Sequence, residues 1–154
     1  LLKRKNIYLL IFIYSIIAIL SAIYIEKVLG YLPCKLCIYQ RIPFLIAIFI
    51  CFLGYNYFKS DRILIALIIT FTLSTALAGY HYGIENSIFE EYAGCSNKNI
   101  DITDKKKIIE SLGIVKNCKD VDFTILGISL SGLNFLSSLL IVLFSLRTLV
   151  YEKN

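Results

Sequence analysis

Two cysteines separated by two residues stand before an apolar stretch, in the sequence Pro33-Cys34-Lys35-Leu36-Cys37. On the first turn of a helix, side chains three positions apart are neighbours, so the two sulfurs could close a disulfide. Pro33 suits a helix start, and both the positive end of the helix and Lys35 favour the thiolate, which is the reactive form in thiol–disulfide exchange. Taken alone, the motif is equally compatible with a structural disulfide or with half of a zinc site.

Two further cysteines, Cys95 and Cys118, lie in one polar segment of the chain. As a static cross-link they would stabilise a loop, whereas on the same membrane face as Cys34 and Cys37 they could form one end of an exchange relay. Structural zinc sites usually take their ligands as two close-spaced pairs, and Cys95 and Cys118 lack that spacing, so we predict no metal site. Cys51 stands unpaired in an apolar stretch and should behave as a small hydrophobic residue.

Arg41 follows Cys37 by four positions, one helical turn deeper on the same face. A cation at that depth in lipid is costly unless it faces a polar ligand or reaches the head groups. Beside Cys37 it would stabilise a thiolate and the negative charge that develops on a reduced quinone oxygen. His81, the single histidine, could bond a quinone carbonyl or move protons, or it could be an ordinary interfacial residue with satisfied hydrogen bonds.

The elements that must position these residues are apolar. The chain is 58% hydrophobic and only 18% charged, more than a soluble domain of 154 residues could bury. Four stretches are near the ~20 residues that cross a bilayer as a helix, at residues 7–25, 38–58, 63–82 and 123–146. They predict an all-α membrane protein, a bundle of four transmembrane helices forming one domain over residues 1–154.

Two local features refine this bundle. Pro43 removes the donor to the Tyr39 carbonyl, which predicts a kink in the second span near the cysteines. Small residues at four-residue spacing predict close helix contacts in spans three and four. These residues are Thr70, Ser74, Ala78, Gly127 and Ser131.

Basic residues in the short loops and termini predict the orientation. Those before span one, between spans two and three, and after span four should be cytoplasmic. The opposite, periplasmic side then holds the long loop over about residues 84–122, where residues 103–112 could form a short helix on the membrane surface. We expect span one to be an uncleaved helix. The basic residues flank apolar runs, which argues against nucleic-acid binding.

Several segments together resemble the DsbB family of bacterial disulfide-forming membrane proteins. They are PCKLCIYQR at residues 33–41, AGYHYGIE at 78–85, LGISLSGLN at 126–134, and the two loop cysteines Cys95 and Cys118. The resemblance covers nearly the whole chain, including the four spans and the order of the cysteines. The stretch from Pro33 to Arg41 is its most specific part.

The resemblance implies an inner-membrane enzyme with its active site on the periplasmic side. A DsbA-like thioredoxin-fold partner would deliver electrons to the Cys95–Cys118 disulfide, with Cys95 forming the mixed disulfide. Cys118 would exchange with Cys34. Cys37 would then engage ubiquinone or menaquinone, with Arg41 and His81 at the quinone.

The chain departs from the family pattern in two respects, and two other functions are compatible with the sequence. Gln40 stands where the best-known member has an acidic residue, and the chain lacks tryptophan. The alternatives are a membrane protein whose cysteines are structural cross-links, and a zinc-binding membrane adaptor.

The orientation makes a prediction about labelling. In a variant that keeps Cys95 as its single cysteine and is expressed in intact cells, Cys95 should react with a membrane-impermeant maleimide added outside the inner membrane. Labelling of Cys95 only after the inner membrane is opened would contradict the periplasmic assignment.

Overall fold

The computed structural model describes residues 4–57, 60–90, 118–119, 121, 123–125 and 127–151. Its elements in chain order are α1 (Arg4–Lys27), α2 (Lys35–Tyr39), α3 (Arg41–Asn56), α4 (Asp61–Glu85), β1 (Thr124–Ile125), β2 (Ile128–Ser129) and α5 (Leu130–Tyr151). Four helical segments are long and apolar enough to cross a membrane: α1, α2 together with α3, α4 and α5. The predicted all-α membrane fold with four spanning helices is confirmed. The predicted surface helix at residues 103–112 lies outside the described residues.

The outward faces of the helices are apolar. Phe49, Phe52 and Leu73 are 72%, 63% and 65% exposed in the isolated bundle. Large apolar side chains in such numbers would be unfavourable in water, but they suit contact with lipid tails. Within lipid, a helix satisfies its own backbone hydrogen bonds, which explains why these stretches fold as helices.

The second span is interrupted at Gln40, between α2 and α3. Pro43 has no backbone N–H to donate to the Tyr39 carbonyl, so the helical hydrogen-bond ladder loses a link at this point. The Gln40 N–H still bonds the Leu36 carbonyl at 2.9 Å, and the chain therefore continues in nearly helical form. The distortion predicted from Pro43 falls at Gln40, whose side chain faces the site described below.

The fourth span differs from its predicted start. Residues 124–125 and 128–129 form a two-stranded antiparallel sheet in which Ile125 pairs with Ile128. Gly127 adopts φ +81°, a left-handed conformation that suits glycine in a tight turn. The helix α5 therefore begins at Leu130, later than the predicted residue 123, and Gly127 does not take part in helix packing.

The helices pack most extensively as two pairs, α1 with α3 and α4 with α5. A buried apolar cluster joins α1, α3 and α4, and in it the rings of Phe44 and Phe71 meet edge to face at 5.9 Å. Between α4 and α5, Ser74 and Ala78 are fully buried, and Ser74 lies 3.1 Å from Ser138. Small residues thus permit the close approach that was predicted for span three.

Polar contacts tie the helices together at the end of the bundle that holds the start of α1. Arg4 bonds Asp61 at 2.6 Å, which joins the starts of α1 and α4. Lys5 lies 4.4 Å from the centre of the Tyr55 ring. The cysteine motif lies at the opposite end, where α1 and α4 end and α2 and α5 begin.

The contact between α1 and α3 makes a stability prediction. A Cβ atom at Gly54 would lie 2.5 Å from the buried Tyr8 ring, so Gly54→Ala must push the two helices apart. We expect a loss of about 1–3 kcal/mol in the free energy of unfolding, measured by denaturant titration in detergent micelles. The control Phe52→Ala removes a lipid-facing ring on the same helix and should change it by less than about 0.5 kcal/mol. Equal stability of Gly54→Ala and the parent protein would contradict this packing.

Candidate active site

The two cysteines of the motif meet at the start of α2. Cys34 has extended backbone angles and occupies the N-cap position, where its sulfur accepts a hydrogen bond from the Cys37 backbone N–H at 3.2 Å. The two sulfurs are 2.9 Å apart, with the Cys34 thiol donating to the Cys37 sulfur. The backbone therefore holds the pair ready to close a disulfide or to share one proton when reduced.

Cys34 is the hydrogen-bond donor of the two thiols. Donation to Cys37 and burial both favour the thiol, and together they raise the pKa of Cys34 well above its usual range. The Cys37 sulfur accepts this hydrogen bond, and the Cys37 side chain is only partly buried. The two cysteines are therefore not equivalent.

Cys118 lies beside this pair, although it is distant in sequence. Its side chain is 2% exposed and packs in a cluster with Cys34, Leu36 and Ile84. The sulfurs of Cys34 and Cys118 and a ring nitrogen of His81 all lie within 4.8 Å of one another. The fold thus brings together three of the four predicted relay residues: Cys34, Cys37 and Cys118. Cys95 lies outside the described residues, so its place in the relay stays a prediction.

His81 is buried at the centre of the site. Its Nε2 atom lies 3.5 Å from the Cys34 sulfur, and its Nδ1 atom lies 2.8 Å from the Gln40 side-chain nitrogen. The side chain is 3% exposed and therefore lies inside the bundle. Its functional role stays a prediction. Gln40 was noted in the sequence only as a departure from the family pattern, and the structure makes it a neighbour of the histidine.

Glu85 is a member of the site that sequence reasoning missed. One carboxylate oxygen lies 3.6 Å from His81 Nε2, and the other accepts hydrogen bonds of 2.5 Å from the hydroxyls of Ser129 and Ser131. The four-residue spacing of His81 and Glu85 on one helix could have indicated the pair. The serines could not have been anticipated, because the hairpin that places Ser129 was not predicted.

Glu26 is the second missed residue. One of its carboxylate oxygens accepts a 2.7 Å hydrogen bond from the Arg41 guanidinium. The other carboxylate oxygen lies 3.1 Å from the Lys27 ammonium nitrogen. Arg41 was predicted to face the bundle interior or a polar ligand. The structure gives it a carboxylate partner from the end of α1, which reduces the cost of a cation near lipid. Arg41 therefore reaches the site as half of an ion pair.

These residues open onto a cavity of about 260 Å³ at this end of the bundle. Its polar wall contains these site residues: Glu26, Cys34, Cys37, Gln40, Arg41, His81, Glu85, Cys118, Ser129 and Ser131. Its apolar wall comes from α1, α3, α5 and the segment before the hairpin, and includes Tyr14, Ala18, Phe44, Leu133 and Phe123. An apolar cavity with a few polar groups at one wall is the usual form of a site for a small, flat, mostly apolar ligand. A quinone head group fits this description.

The same geometry weakens one argument made from the sequence. Zinc was disfavoured because Cys95 and Cys118 lack close spacing along the chain, yet the fold gathers Cys34, His81 and Cys118 into a group of possible metal ligands. Cysteine binds zinc as the thiolate, so closing the Cys34–Cys37 disulfide would remove Cys34, one of the three donors.

Cys51 takes no part in this cluster. It is fully buried in the apolar core formed by α1, α3 and α4, together with Tyr8, Leu67 and Phe71. This position agrees with the prediction that Cys51 behaves as a small hydrophobic residue.

A four-span membrane bundle that presents a vicinal cysteine pair to a third cysteine and a histidine defines the class of membrane thiol–disulfide oxidoreductases. Comparison with known proteins supplies the particular family. The profile of "Disulfide bond formation protein DsbB" matches residues 4–148, and the chain belongs to the DsbB family. Its membership identifies it as a multi-pass membrane protein of disulfide bond formation.

Two relatives are similar to the chain, and one of them is named for disulfide formation. The chain is 31% identical to "Uncharacterized protein RP370" of Rickettsia prowazekii, over 99% of this chain and 91% of that protein. It is 33% identical to a "Probable disulfide formation protein" of Oceanobacillus iheyensis, over 64% of this chain and 68% of that protein.

The proximity of Cys34 and Cys118 can be tested by trapping. In the double variant Cys37→Ser/Cys95→Ser, mild oxidation should join Cys34 to Cys118, because their sulfurs lie within 4.8 Å. Mass spectrometry of unreduced peptides would detect the bond. The control Cys34→Ser/Cys37→Ser/Cys95→Ser keeps Cys118 and Cys51, which lie in separate clusters, and should give no disulfide within one molecule. Free thiols at both positions of the double variant would contradict the described site.

Proposed function

We propose that this protein reoxidises a periplasmic DsbA-like dithiol protein and passes the electrons to a membrane quinone, either ubiquinone or menaquinone. The observation that carries the proposal is the convergence of Cys34, Cys37, Cys118 and His81 on one cavity at one end of the bundle. A structural cross-link would not need a vicinal pair beside a third cysteine. A relay needs this arrangement, because each exchange step requires two sulfurs in contact.

The first step takes place at the loop cysteines. A thiolate of the reduced partner attacks Cys95 in the Cys95–Cys118 disulfide, forming a mixed disulfide and releasing Cys118 as a thiolate. The second partner thiol then attacks its own mixed-disulfide sulfur, which releases Cys95. The partner leaves oxidised, and this protein has gained two electrons and a reduced Cys95/Cys118 pair.

The second step transfers these electrons to the motif. The Cys118 thiolate attacks Cys34 in the Cys34–Cys37 disulfide, so a Cys118–Cys34 bond forms and Cys37 leaves as a thiolate. Cys95 then attacks Cys118, which restores the loop disulfide and releases Cys34. The position of the Cys34 sulfur within 4.8 Å of the Cys118 sulfur supports this choice of attacked sulfur.

The cavity supports the choice of acceptor. A bound quinone supplies an acceptor for two electrons and two protons and departs as the quinol. The partly exposed Cys37 sulfur and the Arg41 guanidinium are the groups that would hold its polar end, and the aromatic and aliphatic wall would hold its ring. Arg41 would stabilise developing negative charge there, and its bond to Glu26 would keep its side chain in place.

The membrane setting follows from the same reasoning. A lipid-soluble acceptor must enter from the bilayer, whereas a soluble dithiol partner must approach from the aqueous side. The site lies at the end of the spanning helices, where both can reach it. The basic short segments at the opposite end support a periplasmic location for the site in the bacterial inner membrane.

Zinc binding is a second candidate, favoured by the convergence of Cys34, His81 and Cys118. It would compete with electron transfer, because it requires reduced thiolates while the resting relay holds them as disulfides. Metal analysis of protein purified without reductant separates the two. The relay predicts less than stoichiometric zinc and intact disulfides, whereas an adaptor predicts one zinc per chain.

Turnover provides the direct test. Purified protein in detergent, supplied with a reduced DsbA-like partner and a soluble quinone, should convert quinone to quinol. Cys34→Ser, Cys37→Ser, Cys95→Ser and Cys118→Ser should each abolish steady-state turnover, because each interrupts the relay. The control Cys51→Ala should leave the rate nearly unchanged. Turnover that survives either Cys34→Ser or Cys37→Ser would refute the proposal.

Arg41 provides a finer test within the same assay. Arg41→Gln should raise the KM for quinone more than it slows oxidation of the partner in a single turnover, because the cation acts at the acceptor and not at the loop disulfide. An equal loss in both measurements would place Arg41 in a structural role.

A further inference from the structure

A line of side-chain hydrogen bonds runs from the middle of the bundle to the active site. Ser74 lies 3.1 Å from Ser138, and the Ser138 hydroxyl donates to the Asn134 side-chain oxygen at 3.0 Å. The Asn134 side-chain nitrogen donates to the Gln40 side-chain oxygen at 2.9 Å, and the Gln40 side-chain nitrogen lies 2.8 Å from His81 Nδ1. These groups lie at buried or part-buried positions, where each has few alternative partners.

The structure places the Asn134 side-chain nitrogen against the oxygen of the Gln40 amide, and this orientation gives the line its direction, because an amide nitrogen can only donate. The other end of that amide is its NH₂ group, which can only donate, and it faces His81 Nδ1. Nδ1 must then accept. A neutral imidazole that accepts at Nδ1 carries its proton on Nε2.

The surroundings of Nε2 consist of acceptors. The Cys34 sulfur lies 3.5 Å away, one Glu85 oxygen lies 3.6 Å away, and the Cys118 sulfur belongs to the same cluster within 4.8 Å. A proton on Nε2 therefore faces atoms that can accept a hydrogen bond. A bare Nε2 lone pair would instead face the Glu85 carboxylate, which is unfavourable.

We propose that Gln40 is a positioning residue that holds neutral His81 in its Nε2–H form. His81 then acts toward the sulfurs as a hydrogen-bond donor. It stabilises whichever of Cys34 and Cys118 carries the thiolate during exchange, and it does not serve as the base that removes a thiol proton. The tautomer follows from the hydrogen bonds alone, and its role in exchange rests on the proposed function.

The single histidine of this chain makes the tautomer directly observable. Protein labelled with ¹⁵N-histidine and purified by a tag without histidine gives one imidazole spectrum, in which the protonated and bare ring nitrogens are readily distinguished. In the reduced wild-type protein at a pH where the ring is neutral, we expect a protonated Nε2 and a bare Nδ1. The opposite assignment in the wild type would overturn the proposal, whatever the variants do.

The variant Gln40→Glu tests whether Gln40 sets the tautomer of His81. An ionised carboxylate can only accept, so Nδ1 should become protonated, either as the reversed tautomer or as an imidazolium. The control Ser74→Ala alters the far end of the same line and should keep the wild-type spectrum. A wild-type spectrum in folded Gln40→Glu would show that Gln40 does not set the tautomer.

Single-turnover kinetics test whether His81 acts as a hydrogen-bond donor during exchange. If Gln40→Glu gives the reversed tautomer, transfer from the Cys95/Cys118 dithiol to the Cys34–Cys37 disulfide should slow about tenfold in single-turnover experiments, the effect expected when one hydrogen bond to a charged group is lost. An imidazolium keeps its Nε2–H and should not slow this transfer. An unchanged transfer rate with a reversed tautomer would refute the donor role. If the wild type shows the expected tautomer but reduces no quinone, the proposed function fails and the tautomer assignment stands.

Discussion

A polar side chain inside a bilayer has no water to bond, and this constraint shapes the site end of the bundle. His81, Gln40 and Asn134 satisfy one another in a line that crosses three helices. Because each amide has one donor end and one acceptor end, satisfying the first bond decides the orientation of the next. A requirement of the lipid environment therefore becomes a definite proton position beside the reactive sulfurs.

The lack of water in the bilayer also requires partners for the charged side chains of the site. Arg41 is paired with Glu26, and Glu85 is held by the hydroxyls of Ser129 and Ser131. An unpaired cation beside Cys37 would attract a thiolate strongly, whereas a paired one attracts it less. The site is thus polar enough to stabilise a passing negative charge without holding it permanently. A relay benefits from this balance, since each sulfur must release its charge again at the next step.

Two breaks in regular structure place the polar groups. The interruption at Gln40, caused by Pro43, lies where the Gln40 side chain can reach His81 on α4. The turn at Gly127 sends Ser129 back toward Glu85 before α5 begins. In an unbroken pair of helices these side chains would follow helical periodicity and face other neighbours. The irregular segments therefore add Gln40 and Ser129 to the groups that the long helices supply.

The sequence by itself determined the four spans, the side of the membrane expected for the loops, and the cysteine pair at a helix start, because hydropathy, short-loop charge and three-residue spacing are local properties. It also indicated Arg41 and His81. Only the tertiary structure brought Cys118 to Cys34, paired Arg41 with Glu26, joined Gln40 to His81, and placed Ser129 against Glu85. These contacts join residues on different helices and loops. Their formation depends on how the helices pack and turn, which no periodicity along one segment records.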